Sequence, residues 1–305
     1  MNKYKRMSGD SSSMNSIDTP ISSVCNMECG DYDKAVSKMR EFFTKVKGFT
    51  EVNEQHRLSI LAACEDPNTM ATMTYAGKVW PLPQTSQMWL EHELLTNPDV
   101  PGFFCISTSY RNEKSPKLGR HDLIFPMAEW ESRGDMNDMI QLEKELLEHL
   151  GFSKDMYPDR EYPISKYEDV CKLYDVDILE HEHEERLERD YGVVHFITEF
   201  PDRTSPFWNM CSLEGDPTHS KKVDIILHGI ETIGSAERSC DKEQMRKNFL
   251  EISGGGYADL LYSNFTKQRV NAELDQFLSH TMFPRYGGGI GVTRMIRAMK
   301  LSNLL

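Results

Sequence analysis

Four short stretches of the chain combine residue types that handle phosphate and carboxylate groups. The first is Tyr110-Arg111-Asn112-Glu113, and the second is Gly119-Arg120-His121 with the alternating run 123–131 behind it. Arginine presents a planar fork of donors, so two arginines and a histidine around acidic residues suit a polyphosphate held beside a cationic or metal-bound group. Strand alternation puts Phe125, Met127, Glu129 and Glu131 on one face. Taken alone, that face reads as a solvent-facing edge; the flanking loops turn it toward ligand binding. The third stretch is the apolar run 223–227, interrupted by Asp224 and turning at His228-Gly229 toward Glu231. A carboxylate inside an apolar strand is costly unless it is paired or bound to a cation. Asp224 and Glu231, brought together by a hairpin, read either as satisfied edge residues or as ligands of a magnesium ion that keeps waters and phosphate oxygens. The fourth is Gly287-Gly288-Gly289-Ile290-Gly291-Val292-Thr293-Arg294. Its glycines allow close approach of backbone to a ligand. It is not a P-loop, because no Gly-Lys-Ser/Thr follows, and Val292 breaks the dinucleotide fingerprint.

The elements that must position these groups follow from periodicity. Tyr32, Val36, Met39, Phe43 and Val46 predict a helix capped by Asp31 and ended by Gly48. Met139, Leu142, Leu146 and Leu150 predict a second helix from Asp135 to Gly151. Ser165-x-x-Glu168 has the pattern of a capping box before a third. Further helices are expected at 179–190, 241–250, 266–280 and 292–301, and strands at 103–108, 123–131, 193–198 and 223–227. The strands do not alternate regularly with helices, and a polar loop joins the first two as an antiparallel hairpin. The fold class is α+β, an antiparallel sheet flanked by helices. Residues 1–30, with seven serines and no apolar cluster, read as a disordered tail; residues 31–305 read as one catalytic domain.

Composition excludes several function classes. Lys+Arg 35 against Asp+Glu 48 gives a net charge of −13, so an extended nucleic-acid groove is not expected, and DNA is not an expected partner. A hydrophobic share of 39% excludes wholesale disorder. No apolar stretch approaches the ~18 residues of a membrane helix. Seven scattered cysteines point to a reducing, cytoplasmic setting rather than a disulfide framework. His181-Glu182-His183-Glu184-Glu185 reads as the solvated face of a charged helix.

In this order, the stretches resemble the catalytic domain of class II aminoacyl-tRNA synthetases, over about residues 31–301. Tyr110-Arg111-Asn112-Glu113 with Arg120, His121 and Phe125 resembles that family's motif 2, and Gly287-x-Gly289-x-Gly291-x-x-Arg294 its motif 3. Gln84-Thr85-Ser86-Gln87-Met88-Trp89-Leu90-Glu91, Pro206-Phe207-Trp208 and Glu231 through Arg238 are similar to the aspartyl and asparaginyl branch. The resemblance implies ATP and Mg2+ as cofactors. Arg111 would hold the α-phosphate and stabilise the transition state, and Glu113 would take the adenine amino group. Phe125 and Arg294 would stack on adenine, with Arg294 also catalytic; Arg120 and His121 would hold the pyrophosphate end. Gly289 and Gly291 would border the nucleotide, and Asp224 and Glu231 would bind the metal. Gln87, Glu129, Glu131 and Arg238 would bind the amino acid.

Leu90 stands where aspartyl enzymes place a lysine, and Glu129 where they place an aspartate, so the pocket leans toward asparagine or another neutral relative of aspartate. Only a short tail precedes the first helix, which implies a paralogue lacking the anticodon-binding domain. Thr293 before Arg294, and Glu129-Trp130-Glu131, are similar to ammonia-dependent asparagine synthetases. The leading expectation is therefore a ligase that forms an aspartyl- or asparaginyl-type adenylate and passes it to a small acceptor such as ammonia. A compact asparaginyl-tRNA synthetase paralogue acylating tRNA, and a non-catalytic regulator, are the alternatives. A homodimer is expected from the fold, with no membrane partner; tRNA is a possible but not a favoured partner.

Overall fold

Alternating apolar residues build the strands of this chain and helical stripes cover them. In the computed structural model the described residues are 27–63, 69–117 and 120–305; the expected tail lies outside them as far as residue 26. The strands are β1 (Thr50–Glu51), β2 (Thr72–Tyr75), β3 (Lys78–Pro81), β4 (Gly102–Tyr110), β5 (Ile124–Arg133), β6 (Ile164–Lys166), β7 (Val194–Pro201), β8 (Ser212–Leu213), β9 (Asp216–Leu227), β10 (Ile230–Arg238) and β11 (Arg285–Gly291). The helices are α1 (Cys29–Glu41), α2 (Gln87–Thr96), α3 (Met136–Leu150), α4 (Tyr167–Tyr174), α5 (His181–Tyr191), α6 (Lys242–Glu251), α7 (Gly256–Phe265), α8 (Lys267–Leu278) and α9 (Val292–Leu301).

One sheet runs in the order β1-β4-β5-β11-β10-β9-β7-β6, with β8 beside β9. Its centre is antiparallel, as expected, and only the edge pairs β1–β4 and β6–β7 are parallel. One face carries Phe104, Trp130, Val223, Ile225, Ile233 and Ile290, buried under apolar residues of α1, α3 and α9. The opposite face carries the side chains singled out above. Helices α6 to α8 bring a second apolar cluster, including Met245, Phe249, Leu261 and Phe277, against Ile60, Phe207 and Trp208.

Two of the expected caps are not formed. Helix α1 begins at Cys29 without a side-chain cap, and Asp31 instead accepts from Lys300 Nζ at 2.8 Å. Ser165 lies in β6, where its hydroxyl shares a hydrogen bond with His195 Nε2 at 3.1 Å. Glu168 takes the guanidinium of Arg203 at 2.6 and 2.9 Å, so α4 starts one residue after the strand, at Tyr167. Pairing of β6 with β7 fixes the backbone that the capping box needed. By contrast, Asp135 forms a full capping box on α3, and Gly151 ends that helix at φ 109°.

Helix α3 also carries a carboxylic acid into the core. Glu143 is fully buried, and among the described residues neither of its oxygens has a hydrogen-bond partner. Burial pushes its pKa up to about 8; the Ser235 hydroxyl works against the shift and the charge of Asp224 adds to it. The folded state therefore holds a proton that the unfolded chain releases above its ordinary carboxylate pKa, so stability falls as pH rises through that range toward 8. Glu143→Gln is expected to remove about 3 kcal/mol of the stability lost between pH 5 and pH 8. Urea denaturation of both proteins at the two pH values checks this.

Candidate active site

The hairpin β4–β5, the glycine strand β11 and the hairpin β9–β10 enclose a cavity of about 420 Å³, within the range of small-molecule sites. Arg111, Glu113, Arg120, His121, Phe125, Gln87, Glu129, Glu231, Arg238, Gly289, Gly291 and Arg294 all line it. Residues from four separate parts of the sequence thus meet in one space. Asp224 and Glu131 stand just behind that lining.

At one end the groups are cationic and aromatic. The Arg111 guanidinium lies over the Phe125 ring at 5.7 Å, at the loop end of the β4–β5 hairpin. Glu113 and His121 close that hairpin through His121 Nδ1, 2.9 Å from the carboxylate. Arg120 donates to Glu184 at 2.6 Å and to the Gly229 carbonyl at 3.3 Å. Arg294, in the first turn of α9, donates to the Glu231 carbonyl at 2.6 Å and to the Arg120 carbonyl at 3.3 Å.

The two carboxylates of the β9–β10 hairpin are brought together by a bulge between Glu231 and Ile233, which leaves Asp224 opposite Gly234. A Cβ on Gly234 would stand 3.2 Å from a Glu231 oxygen and 3.4 Å from Asp224 Oδ1. The missing side chain therefore leaves a cradle between them. Asp224 Oδ2 accepts from Lys222 at 2.8 Å, whereas buried Oδ1 has no hydrogen-bond partner among the described residues. Burial pushes the Asp224 pKa up, against Lys222 and with Glu231 reinforcing it. Burial also acts on Glu231, but Arg294, Lys222, Arg111 and Arg120 hold its pKa below the usual value. An orphaned oxygen, a second carboxylate and the cradle between them fit one hard divalent cation. No group of three or more Asp, Glu, His or Cys side chains converges among the described residues, so the cation that fits is one that keeps waters and phosphate oxygens, as Mg2+ does.

The other end is built on buried charge. Glu91, on α2, is fully buried and accepts at one oxygen from Arg285 Nε and Nη2 at 2.9 and 2.7 Å. Its other oxygen accepts from Asn209 at 2.6 Å and from Gln87 at 2.9 Å. Glu131 accepts from Arg238 Nε and Nη2 at 3.1 and 2.6 Å. Burial pushes the Glu131 pKa up to about 8, with Arg238 opposing and Glu91 adding to the shift. Glu129 is bound by the Thr85 hydroxyl, the Ser107 hydroxyl and the Ser86 amide, the last at 2.8 and 3.0 Å. These bonds fix the direction of its carboxyl group at the wall. Leu90 does not face the cavity; it is buried with Leu94, Phe103 and Cys105.

The sequence reading missed Glu91, Asn209 and Arg285, although Glu91 stands four residues after Gln87 and so shares its helix face. It also misread α5. His183 is buried, and Glu184 turns inward to Arg120 instead of into water.

A family model described as tRNA synthetases class II (D, K and N) matches residues 31–303. The chain belongs to that family. It is 25% identical over 274 residues to an aspartate–tRNA(Asp/Asn) ligase of Methanosphaera stadtmanae, covering 81% of this chain and 57% of the relative. Its fold is similar to that of the asparaginyl-tRNA synthetase of Pyrococcus horikoshii complexed with asparaginyl-adenylate, with TM-score 0.70, 20% identity, and coverage of 88% of this chain and 64% of that one. The aspartyl-tRNA synthetase of Entamoeba histolytica gives TM-score 0.65 at 18% identity, with coverage of 88% and 54%. The chain thus spans about 57 to 64% of the length of the first relatives it matches. These relatives are tRNA enzymes, and they lend no support to the expectation of ammonia as acceptor.

The glycine strand gives a direct test of this packing. A Cβ on Gly287 would overlap the Glu131 carboxyl and the Trp130 carbonyl, whereas on Gly289 it would chiefly meet the end of the Met127 side chain. Gly287→Ala is expected to cost roughly 3 kcal/mol or more and Gly289→Ala under about 1 kcal/mol, because only a flexible side-chain end has to move. Thermal melting of the two variants compares them.

Proposed function

We propose that this chain activates asparagine, or a neutral relative of aspartate, with ATP to form an acyl-adenylate, and that tRNA is the acceptor of the acyl group. The observation that carries the proposal is the single cavity, with arginines, an aromatic ring and paired carboxylates at one end and Arg238 with buried acids at the other. In this reading Phe125 and Arg294 hold adenine between them, and Glu113 accepts from its amino group. Arg111 holds the α-phosphate and neutralises the charge that develops as the amino-acid carboxylate attacks it. Positioning and charge neutralisation supply most of the rate in such transfers. Arg120 and His121 hold the departing pyrophosphate.

Asp224 and Glu231 would hold Mg2+, which supplies charge neutralisation for the phosphate oxygens. Gln87, on α2, faces the amino-acid end, anchored by Glu91. The guanidinium of Arg238, held by Glu131, is aligned for a side-chain carbonyl. A carboxylate at Glu129 would disfavour a second carboxylate there and tolerate an amide. Support for tRNA as acceptor comes from the relatives, whose names are those of tRNA ligases; the earlier preference for a small acceptor gives way to it. A two-fold dimer and a cytoplasmic setting belong to the same proposal. No helix among the described residues is long and apolar enough to cross a membrane.

Amino-acid-dependent exchange of pyrophosphate into ATP tests the activation step without tRNA. Exchange is expected with asparagine and at least tenfold less with aspartate; activity with aspartate alone would overturn the selectivity. Arg111→Ala is expected to lower kcat/KM for exchange about a thousandfold. Stable acylation of tRNA by the wild-type chain would identify the acceptor, and hydroxamate formation with no tRNA charging would count against it.

A further inference from the structure

Four charged residues around the phosphate end are linked in a closed ring of hydrogen bonds. Glu184 accepts at the same oxygen from Arg120 Nη2 at 2.6 Å and from the Glu231 backbone amide at 3.0 Å. The Glu231 carbonyl accepts from Arg294 Nη1 at 2.6 Å, and Arg294 Nη2 reaches the Arg120 carbonyl at 3.3 Å. The ring joins α5, the start of β10, the first turn of α9 and the loop between β4 and β5. Three of its members line the cavity, whereas Glu184 lies outside that lining, with a side chain 20% exposed.

Helix α5 is seated on the β9–β10 turn by more than this ring. Glu188, one helical turn beyond Glu184, pairs with His228 Nδ1 at 2.8 Å. Gly229 sits at φ 69°, where an added Cβ would stand 2.9 Å from the α5 backbone at Glu185. Leu187 is fully buried on the same helix. The α5 backbone is therefore fixed against the turn by packing, and the Glu184 carboxylate projects from a rigid support. Without it, Arg120 keeps a neutral carbonyl and the more exposed Glu185 at 3.7 Å, and the Glu231 amide loses its acceptor.

We infer that Glu184 is a positioning residue of the activation reaction. It fixes the direction of the Arg120 guanidinium and the backbone of Glu231 before substrate enters, so that the polyphosphate and its cation meet a formed site. It touches neither ligand. The inference rests on the ATP-activating reading above and deepens it, because it assigns a role to a helix outside the motifs that carry that reading.

Calorimetric titration with Mg·ATP and, separately, with AMP distinguishes this from a general structural role. AMP lacks the terminal phosphates and cation that Arg120 and Glu231 would hold. Loss of a charge-assisted hydrogen bond corresponds to roughly a ten- to hundredfold change. Glu184→Ala is expected to weaken Mg·ATP by that factor while AMP affinity stays within about twofold, and Glu184→Gln is expected to recover part of the loss. Glu182→Ala, on the same helix with a side chain 64% exposed, is expected to bind both as wild type does. Unchanged Mg·ATP affinity in Glu184→Ala overturns the inference and leaves the ATP-activating reading intact. Equal weakening of Mg·ATP and AMP, or a melting temperature lowered in step with binding, also overturns it. A wild-type chain that binds neither nucleotide overturns both the reading and the inference.

Discussion

Charge buried in the floor of the cavity is the constraint around which this molecule is arranged. Glu91, Glu131, Arg238 and Arg285 are at most 3% exposed, and such groups are tolerated only when each has a partner of good geometry. Glu91 answers this with four donors from three elements, Arg285 on β11, Asn209 from the loop before β8, and Gln87 on its own helix. Removing one partner from such a set leaves an uncompensated charge, which typically costs about 3–5 kcal/mol. Helix α2, strands β5, β10 and β11 and the loop at Asn209 are thus held in one arrangement. Glycine at 287 belongs to the same constraint, since it leaves the space that the Glu131 carboxyl fills.

Two kinds of charged environment follow from that frame, one at each end of the cavity. At the end around Arg238 the charged groups are dry and paired with one another, although Glu131 Oε2 has no hydrogen-bond partner among the described residues; in the proposed reading this end takes the amino acid. At the end around Arg120 and Arg294, proposed for the phosphates, they are more exposed and joined through backbone groups, as in the pairing of Arg294 with two carbonyls. A site for a large, hydrated polyanion needs donors that are fixed yet open to solvent. The raised pKa of buried Asp224 and the lowered one of Glu231 belong to this second environment, where a divalent cation would relieve the repulsion between them.

Much of the site was legible because motif residues keep short spacings on strands. Alternation alone put Glu129 and Glu131 on one face, and the apolar run around Asp224 predicted the hairpin that carries the paired carboxylates. The glycines of 287–291 read as close backbone approach, and Gly287 lies tightly against Glu131 and Trp130 of β5. What stayed hidden depended on contacts far apart in sequence. Arg285 meets Glu91 across 194 residues, and no local period marks either as a partner of the other. Ser165 and Glu168 had the spacing of a cap but were claimed by His195 and Arg203, a tertiary override of a local signal. The charged helix α5 looked solvated because its composition is polar throughout, yet packing of Leu187 turns Glu184 inward.

The central claim is that one cavity binds nucleotide and amino acid together as parts of a single adenylate. Equilibrium binding of a non-hydrolysable asparaginyl sulfamoyl-adenosine, compared with its aspartyl counterpart and with adenosine sulfamate, tests it most directly. The account predicts that the asparaginyl compound binds at least about a hundredfold more tightly than adenosine sulfamate, since both ends are engaged at once, and more tightly than the aspartyl compound. Equal affinity for all three would show that the amino-acid end contributes nothing, and would contradict the account.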